Sequence, residues 1–169
     1  MPDSTLSQAI MEAYAAAPSD VVVYHTLEIN HAAFTQPIYV VRDNADFEAD
    51  LEDGGGTVTF VRFAFDLVKP EVSPAGVPQC TVEFDNVSRE ILANIQLAMA
   101  DTTPITVTYR EYLSTDLSGP QNDPPLVMTL TNIKADVFRV RATAGFGDLN
   151  NRRFPTTEYT GERFPGLVS

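Results

Sequence analysis

Alternation of apolar and polar positions dominates this chain, and it predicts strands. Val21, Val23, Leu27 and Ile29 alternate with Tyr24, Thr26 and Glu28, the period of two that marks a strand with one buried face. A shorter run from Pro37 to Val41 sets Tyr39 and Val41 on one side. The cleanest run follows, with Val61, Phe63, Phe65 and Leu67 facing one way and Arg62, Ala64 and Asp66 the other. Gln79 to Phe84 and Ile105 to Arg110 alternate likewise, and Leu126 to Ala142 reads as two strands or as one bent at Asn132. Two stretches repeat at helical spacing instead. Leu6, Ile10, Met11 and Tyr14 form a stripe on a helix from Ser4 to about Ala17. The Ser4 hydroxyl is its predicted cap, and Pro18 stops it because the residue before a proline avoids helical geometry. Ile91, Leu92, Ile95 and Met99 form a second stripe, behind a cap at Ser88 and over about Arg89 to Ala100.

The connections are polar or broken by proline. Asp43 to Gly56 is acidic, ends in three glycines and predicts a loop. Pro70, Pro74, Gly76 and Pro78 mark another, and Ser114 to Pro125 a third. Many strands and two helices, without regular strand–helix alternation, predict a mainly β chain of the α+β class. The architecture expected is an antiparallel β-sandwich or split barrel. Residues 1–145 would form this domain with its N-terminal helix.

Residues 146–169 predict an extended C-terminal arm. Arg153-Phe154-Pro155 is echoed by Arg163-Phe164-Pro165, with Tyr159 between them. The prolines forbid a helix or a central strand, while the aromatic surface is costly to leave in water. Such a segment lies along a groove of its own domain or of a neighbour. Phe154, Pro155, Tyr159, Phe164, Pro165 and Leu167 are therefore the expected interface residues.

Composition narrows the function classes. The 169 residues, 44% of them hydrophobic, suffice for one domain with a real core. A formal charge of −12 and a pI near 4.4 argue against sequence-specific nucleic-acid binding, which needs clustered Lys and Arg. The single cysteine, Cys80, excludes an internal disulfide and is expected to be a buried small hydrophobe. No run is long and apolar enough to span a bilayer. The N-terminal Met1-Pro2-Asp3-Ser4 lacks the basic region of a signal peptide, so synthesis in a cytoplasm is expected.

The chemistry-bearing residues match no reactive template. Asp43, Asp46, Glu48, Asp50, Glu52 and Asp53 precede their glycines instead of flanking one, which fails the calcium-loop pattern. His25 and His31 have neither metal-helix nor same-face strand spacing, and His25 is expected to be a hydrogen-bonded structural histidine. No Gly-x-Ser-x-Gly elbow is present, and Gly54 to Gly56 lacks the Lys-Ser/Thr of a phosphate loop. Asp66 and Glu83 are expected to be exposed or ion-paired. Phe60, Phe63 and Phe65 are expected in the core. The expectation is a protein that is not an enzyme, with no catalytic, cofactor-binding or metal-binding residues.

Four segments together resemble a known family. They are the N-terminal helix feeding into Val21-Val-Val-Tyr-His-Thr-Leu-Glu-Ile29, the strand Phe60-Val-Arg-Phe-Ala-Phe-Asp-Leu67, the run Val82-Glu-Phe-Asp-Asn-Val-Ser-Arg-Glu-Ile-Leu92, and the Arg-Phe-Pro-Gly-Leu terminus. The chain resembles the small tail proteins of long-tailed bacteriophages, a domain of unknown function. Asp85-Asn86-Val87-Ser88-Arg89-Glu90 and Arg163-Phe164-Pro165-Gly166-Leu167 carry the likeness most specifically. The resemblance implies a tail-tube-like fold and a structural role at the virion tail tip or baseplate, as hub or distal ring around the tail channel. It also implies other phage tail proteins as partners, a homo-oligomeric ring with a trimer favoured over a hexamer, and synthesis in a host bacterium. It supplies no catalytic residues. Two alternatives stand beside it: a small-ligand-binding β-barrel, and a tail-associated hydrolase.

Overall fold

The computed structural model describes residues 6–67, 79–85, 93–94, 96–98, 103–136 and 139–145. One helix, α1 (Gln8–Ala16), precedes nine strands: β1 (Val23–Asn30), β2 (Ile38–Val41), β3 (Phe47–Asp50), β4 (Thr57–Arg62), β5 (Phe65–Leu67), β6 (Gln79–Asp85), β7 (Thr106–Leu113), β8 (Leu126–Ala135) and β9 (Arg139–Gly145). Residues 93–94 and 96–98 carry the second helix; Ser88, Ile91, Leu92, Ile95 and Met99 lie outside the described residues. The strands form one sheet in the order β3-β4-β2-β1-β7-β8-β9-β6-β5, open at β3 and β5. The expected mainly β, sandwich-like α+β fold is the one observed. Its pairings are antiparallel except for β2 with β4, which is parallel.

Alternation places two cores on the two sides of this sheet. On the inner side, Leu27, Ile29, Val40, Val82, Phe84, Val107, Met128, Val140 and Ala144 pack in one cluster. On the outer side of β1, β2 and β7, the β3–β4 hairpin folds over the sheet. Its Phe47, Ala49, Val58 and Phe60 pack on Tyr24, Tyr39, Val41 and Tyr112. Phe47 stacks on Phe60 at 5.2 Å and on Tyr24 at 4.6 Å between ring centroids. Phe60 has no exposed surface, and burying a phenylalanine side chain contributes about 1.5–3 kcal/mol.

This hairpin corrects the reading of Asp43 to Gly56 as a loop. Phe47, Ala49 and Leu51 alternate with Glu48 and Asp50, and the acids occupy the more open positions of a true strand. The run from Phe60 to Leu67 is also not one strand. It breaks at Phe63–Ala64 into β4 and β5; within β4, alternation buries Phe60 and leaves Val61 50% exposed. At this corner Phe63 N–H donates to Val41 O (2.8 Å), and Asp85 N–H donates to Ala64 O (2.9 Å). One chain thus leaves β2 and reaches β6 within two residues, which curls the open sheet towards a split barrel. The predicted bend at Asn132 is a bulge between the two strands' regular pairings. Asn132 has φ 51°, and the β8–β9 register shifts between Thr131 and Lys134.

Helix α1 is capped by Ser7, whose Oγ accepts from Ile10 N–H at 3.2 Å; the predicted cap, Ser4, lies outside the described residues. Of the predicted stripe, Ile10 is fully buried, whereas Tyr14 is 47% exposed. The Ser114 to Pro125 loop returns beneath the helix. Gln121 O accepts from Ser7 N–H (2.8 Å), and Gln121 N–H donates to Glu111 O (2.7 Å). Asn122 then satisfies β7 beyond its pairing with β8, accepting from Glu111 N–H (2.9 Å) and donating to Tyr109 O (3.1 Å). Residues 146–169, with the expected interface positions Phe154, Pro155, Tyr159, Phe164, Pro165 and Leu167, lie outside the described residues.

Candidate functional site

Strand β7 carries two adjacent charged residues into opposite sides of the sheet. Arg110 points outward beneath the hairpin and is 4% exposed. Its Nε and Nη2 donate to the two carboxylate oxygens of Glu52, each at 2.7 Å. Its Nη1 lies 2.8 Å from Glu28 Oε2, an ion pair off the hydrogen-bonding line. Burial works against the guanidinium charge, but the hydrogen bonds to Glu52 and the ion pair with Glu28 outweigh it and push the Arg110 pKa up. The Glu52 carboxyl is held below its ordinary range, chiefly by the hydrogen bonds from Arg110. The acidic segment therefore delivers a side chain that clamps the hairpin onto the sheet.

Glu111 points inward and is fully buried. Its Oε1 accepts from the Tyr109 hydroxyl and from the Tyr14 hydroxyl of α1 at 3.2 Å. His25 Nδ1 lies 2.7 Å from the Tyr109 oxygen. Since the Tyr109 proton faces Glu111, His25 donates from Nδ1. Burial, then the Glu111 carboxylate, pushes both tyrosine hydroxyls above their ordinary range. This arrangement holds protons in place and ties α1 to β1 and β7. The expected structural role of His25 agrees with it. His31 is likewise engaged, through Nε2 on Thr103 O (2.9 Å) and Nδ1 accepting from Ala33 N–H (3.0 Å).

The fold does bring Asp66 and Glu83 opposite each other, in register between β5 and β6. Each is paired with arginine: Asp66 with Arg42 at 3.4 Å, and Glu83 with Arg139 and Arg141 at 2.8 Å each. They are ion-paired strand acids, as expected. Cys80 is buried, its Sγ 3.5 Å from Met128 Sδ, and burial pushes its thiol pKa up. Among the described residues no three His, Cys, Asp or Glu side chains cluster to hold a metal. No helix there is long and apolar enough to cross a membrane.

The surface feature most suited to binding lies where β2 and β4 meet. Their parallel ladder consists of Val40↔Val61 and Val41↔Arg62. Ahead of it the strands part, and a groove of about 640 Å³ opens between Thr35–Val40, Thr59, Val61, Phe63 and Asn94. None of these lining residues is charged, although the chain carries −12 overall. Sequence reasoning missed this groove because it depends on the parallel pairing of β2 with β4, which joins residues about twenty positions apart and leaves Ile38 and Tyr39 ahead of the ladder. The signal available was Pro37 at the mouth of a very short strand.

A mainly β, sandwich-like domain with an inner polar network around Glu111 and an outer hairpin clamped by Arg110 is the class that this fold defines. The chain belongs to the family described as a domain of unknown function, DUF1833, whose model matches residues 9–159. Among curated proteins, none matches the chain.

Proposed function

We propose that this protein is a structural component of a bacteriophage tail tip or baseplate, as a hub or distal ring around the tail channel. The observation that carries the proposal is the open sheet. Among the described residues β3 and β5 each have one ladder partner in the sheet, with Leu117 O meeting β3 at Asp50 N–H, and the unpaired part of a sheet edge is a template for a neighbouring chain. Cyclic symmetry repeats such a contact until a ring closes. The resemblance of the Asp85 to Glu90 and Arg163 to Leu167 segments to phage tail proteins supports the same reading. Other tail proteins are its partners, the virion tail tip its location and a host bacterium its site of synthesis.

The ring is a trimer in preference to a hexamer. The ligand-barrel alternative is disfavoured by the packed inner face, where Leu27, Val82, Val107 and Met128 fill the space between the strands. The hydrolase alternative is disfavoured by the arginine pairing of Asp66 and Glu83.

Light scattering after gel filtration, with antibody labelling of purified phage tails, tests the proposal. A trimeric or hexameric mass and label confined to the tail tip are expected. Absence of the chain from purified tails overturns it. Truncation before Phe154 is expected to leave a folded chain that no longer enters particles.

A further inference from the structure

We propose that the β2–β4 groove binds an extended, uncharged peptide strand contributed by a partner protein, which takes the ladder place that Thr59 leaves beside Ile38. The register supplies the first argument. Continuing the ladder of Val40↔Val61 and Val41↔Arg62 two residues back would set Ile38 opposite Thr59, yet the pairing stops at Val40. Both residues instead line the groove.

The bonds flanking the gap fix where the main-chain groups point. Phe63 N–H donates to Val41 O across the ladder, whereas Arg42 N–H turns the other way, to His25 O. Along β4, Arg62 N–H meets Asp46 Oδ1 on the β3 side. Hydrogen-bonding direction alternates along a strand. Tyr39 N–H and Pro37 C=O on one wall, and Thr59 N–H and C=O on the other, therefore face the groove. Among the described residues none of these groups is bonded across the β2–β4 ladder. Such a row of donors and acceptors is what an added strand recognises. Pro37 to Val40 spans roughly 13 Å, the length of about four extended residues.

The side chains define what that strand carries. Ile38, Tyr39 and Phe63 are half-buried in the walls, and Val61 is 50% exposed. Asn94 of the second helix closes one side, and Leu97, three positions further on, is 58% exposed, so the apolar surface continues along the helix. No lining residue is charged. A carboxylate or ammonium on the incoming strand would lose water here and find no counter-charge in the lining. Threonine, valine and tyrosine suit the site, since they favour extended pairing and bring apolar area without charge. The inference rests on the groove and the ladder, and on nothing in the tail-tip assignment.

The test uses the full chain, isotope-labelled, and the capped pentapeptide acetyl-Thr-Val-Tyr-Val-Thr-amide at millimolar concentration. Backbone amide shifts confined to Thr35–Val40 and Thr59–Phe63 are expected, with exchange at Tyr39 N–H slowed about ten-fold or more. The same peptide N-methylated at both valines should bind at least about ten-fold more weakly, because main-chain bonds carry the affinity. Val61→Asp should weaken binding comparably; Val61 is half exposed, and an unchanged circular dichroism spectrum confirms that the variant is folded. No shifts with the unmodified peptide overturn the proposal, as does equal binding of the N-methylated peptide or by the Val61→Asp chain. Groove shifts that grow with protein concentration before any peptide is added overturn it in favour of a second copy.

Discussion

Replacing Arg110 by leucine tests whether the acidic segment clamps the hairpin to the sheet. The substitution removes the ion pairs to Glu28 and Glu52, whose side chains are 13% and 32% exposed. Glu52 sits near the surface and can turn into water, so its loss is worth about 1 kcal/mol at most. Glu28 cannot do so as easily and is left as a half-buried, unpaired carboxylate; a fully buried one typically costs about 3–5 kcal/mol. With its partial exposure the expected total loss is about 3 kcal/mol. For a chain of this size that lowers Tm by about 6–12 °C. The chain has no tryptophan, so urea unfolding is followed by tyrosine fluorescence and circular dichroism. Adding Glu28→Gln to Arg110→Leu removes the stranded charge and should recover about 1 kcal/mol or more. A loss below about 1 kcal/mol for Arg110→Leu, or no recovery in the double variant, refutes the clamp.

The same variant has a pH signature. Glu52 has its folded pKa lowered below the ordinary 4.5 by Arg110. A lowered carboxyl pKa means that the unfolded chain binds the proton more readily. The contribution is therefore fully present above pH 4.5 and is lost as pH falls through the folded value. Wild-type stability should drop on acidification below that point, and Arg110→Leu should drop less steeply. Parallel pH profiles for the two proteins contradict the assignment.

Three further outcomes are expected. Tyr14→Phe removes the hydroxyl that meets Glu111; amides of α1 should exchange faster while global stability falls by about 1 kcal/mol, and unchanged exchange in α1 refutes the tie. Phe60→Ala empties the centre of the hairpin core and should cost about 3–5 kcal/mol in urea unfolding, a value under about 1 kcal/mol meaning that the hairpin is not packed as described. Cys80, 5% exposed and with its thiol pKa raised by burial, should resist maleimide in buffer and react readily in urea; rapid labelling of the native chain excludes its burial.

Most of the inner face was legible in the sequence because period-two alternation is enforced by burial on one side alone. Leu27 and Ile29, Val82 and Phe84, and Val107 obey that rule and lie in one core. The outer hairpin was not legible for a specific reason. Glu48 and Asp50 made its first strand look like an acidic loop, although Phe47, Ala49 and Leu51 supply the apolar phase. The corner at Phe63–Ala64 was hidden for a different one. Local alternation continues through it, and only the change of ladder partner from β2 to β6 shows that the chain has switched sides. The charged centre was equally out of reach. Arg110 and Glu52 are separated by 58 positions, and no local pattern marks them as a pair.

Charge disposition links these structural findings to the proposed assembly. Arg42, Arg110, Arg139 and Arg141 each pair with a carboxylate of the same chain, so their charge is already engaged inside the molecule. The net −12 then acts between copies as mutual repulsion, strongest where acidic surfaces face each other. Copies that close a ring must meet through surface that carries little charge, or through basic surface on other tail proteins. The β2–β4 groove is uncharged among its lining residues and lies beside strand edges able to pair.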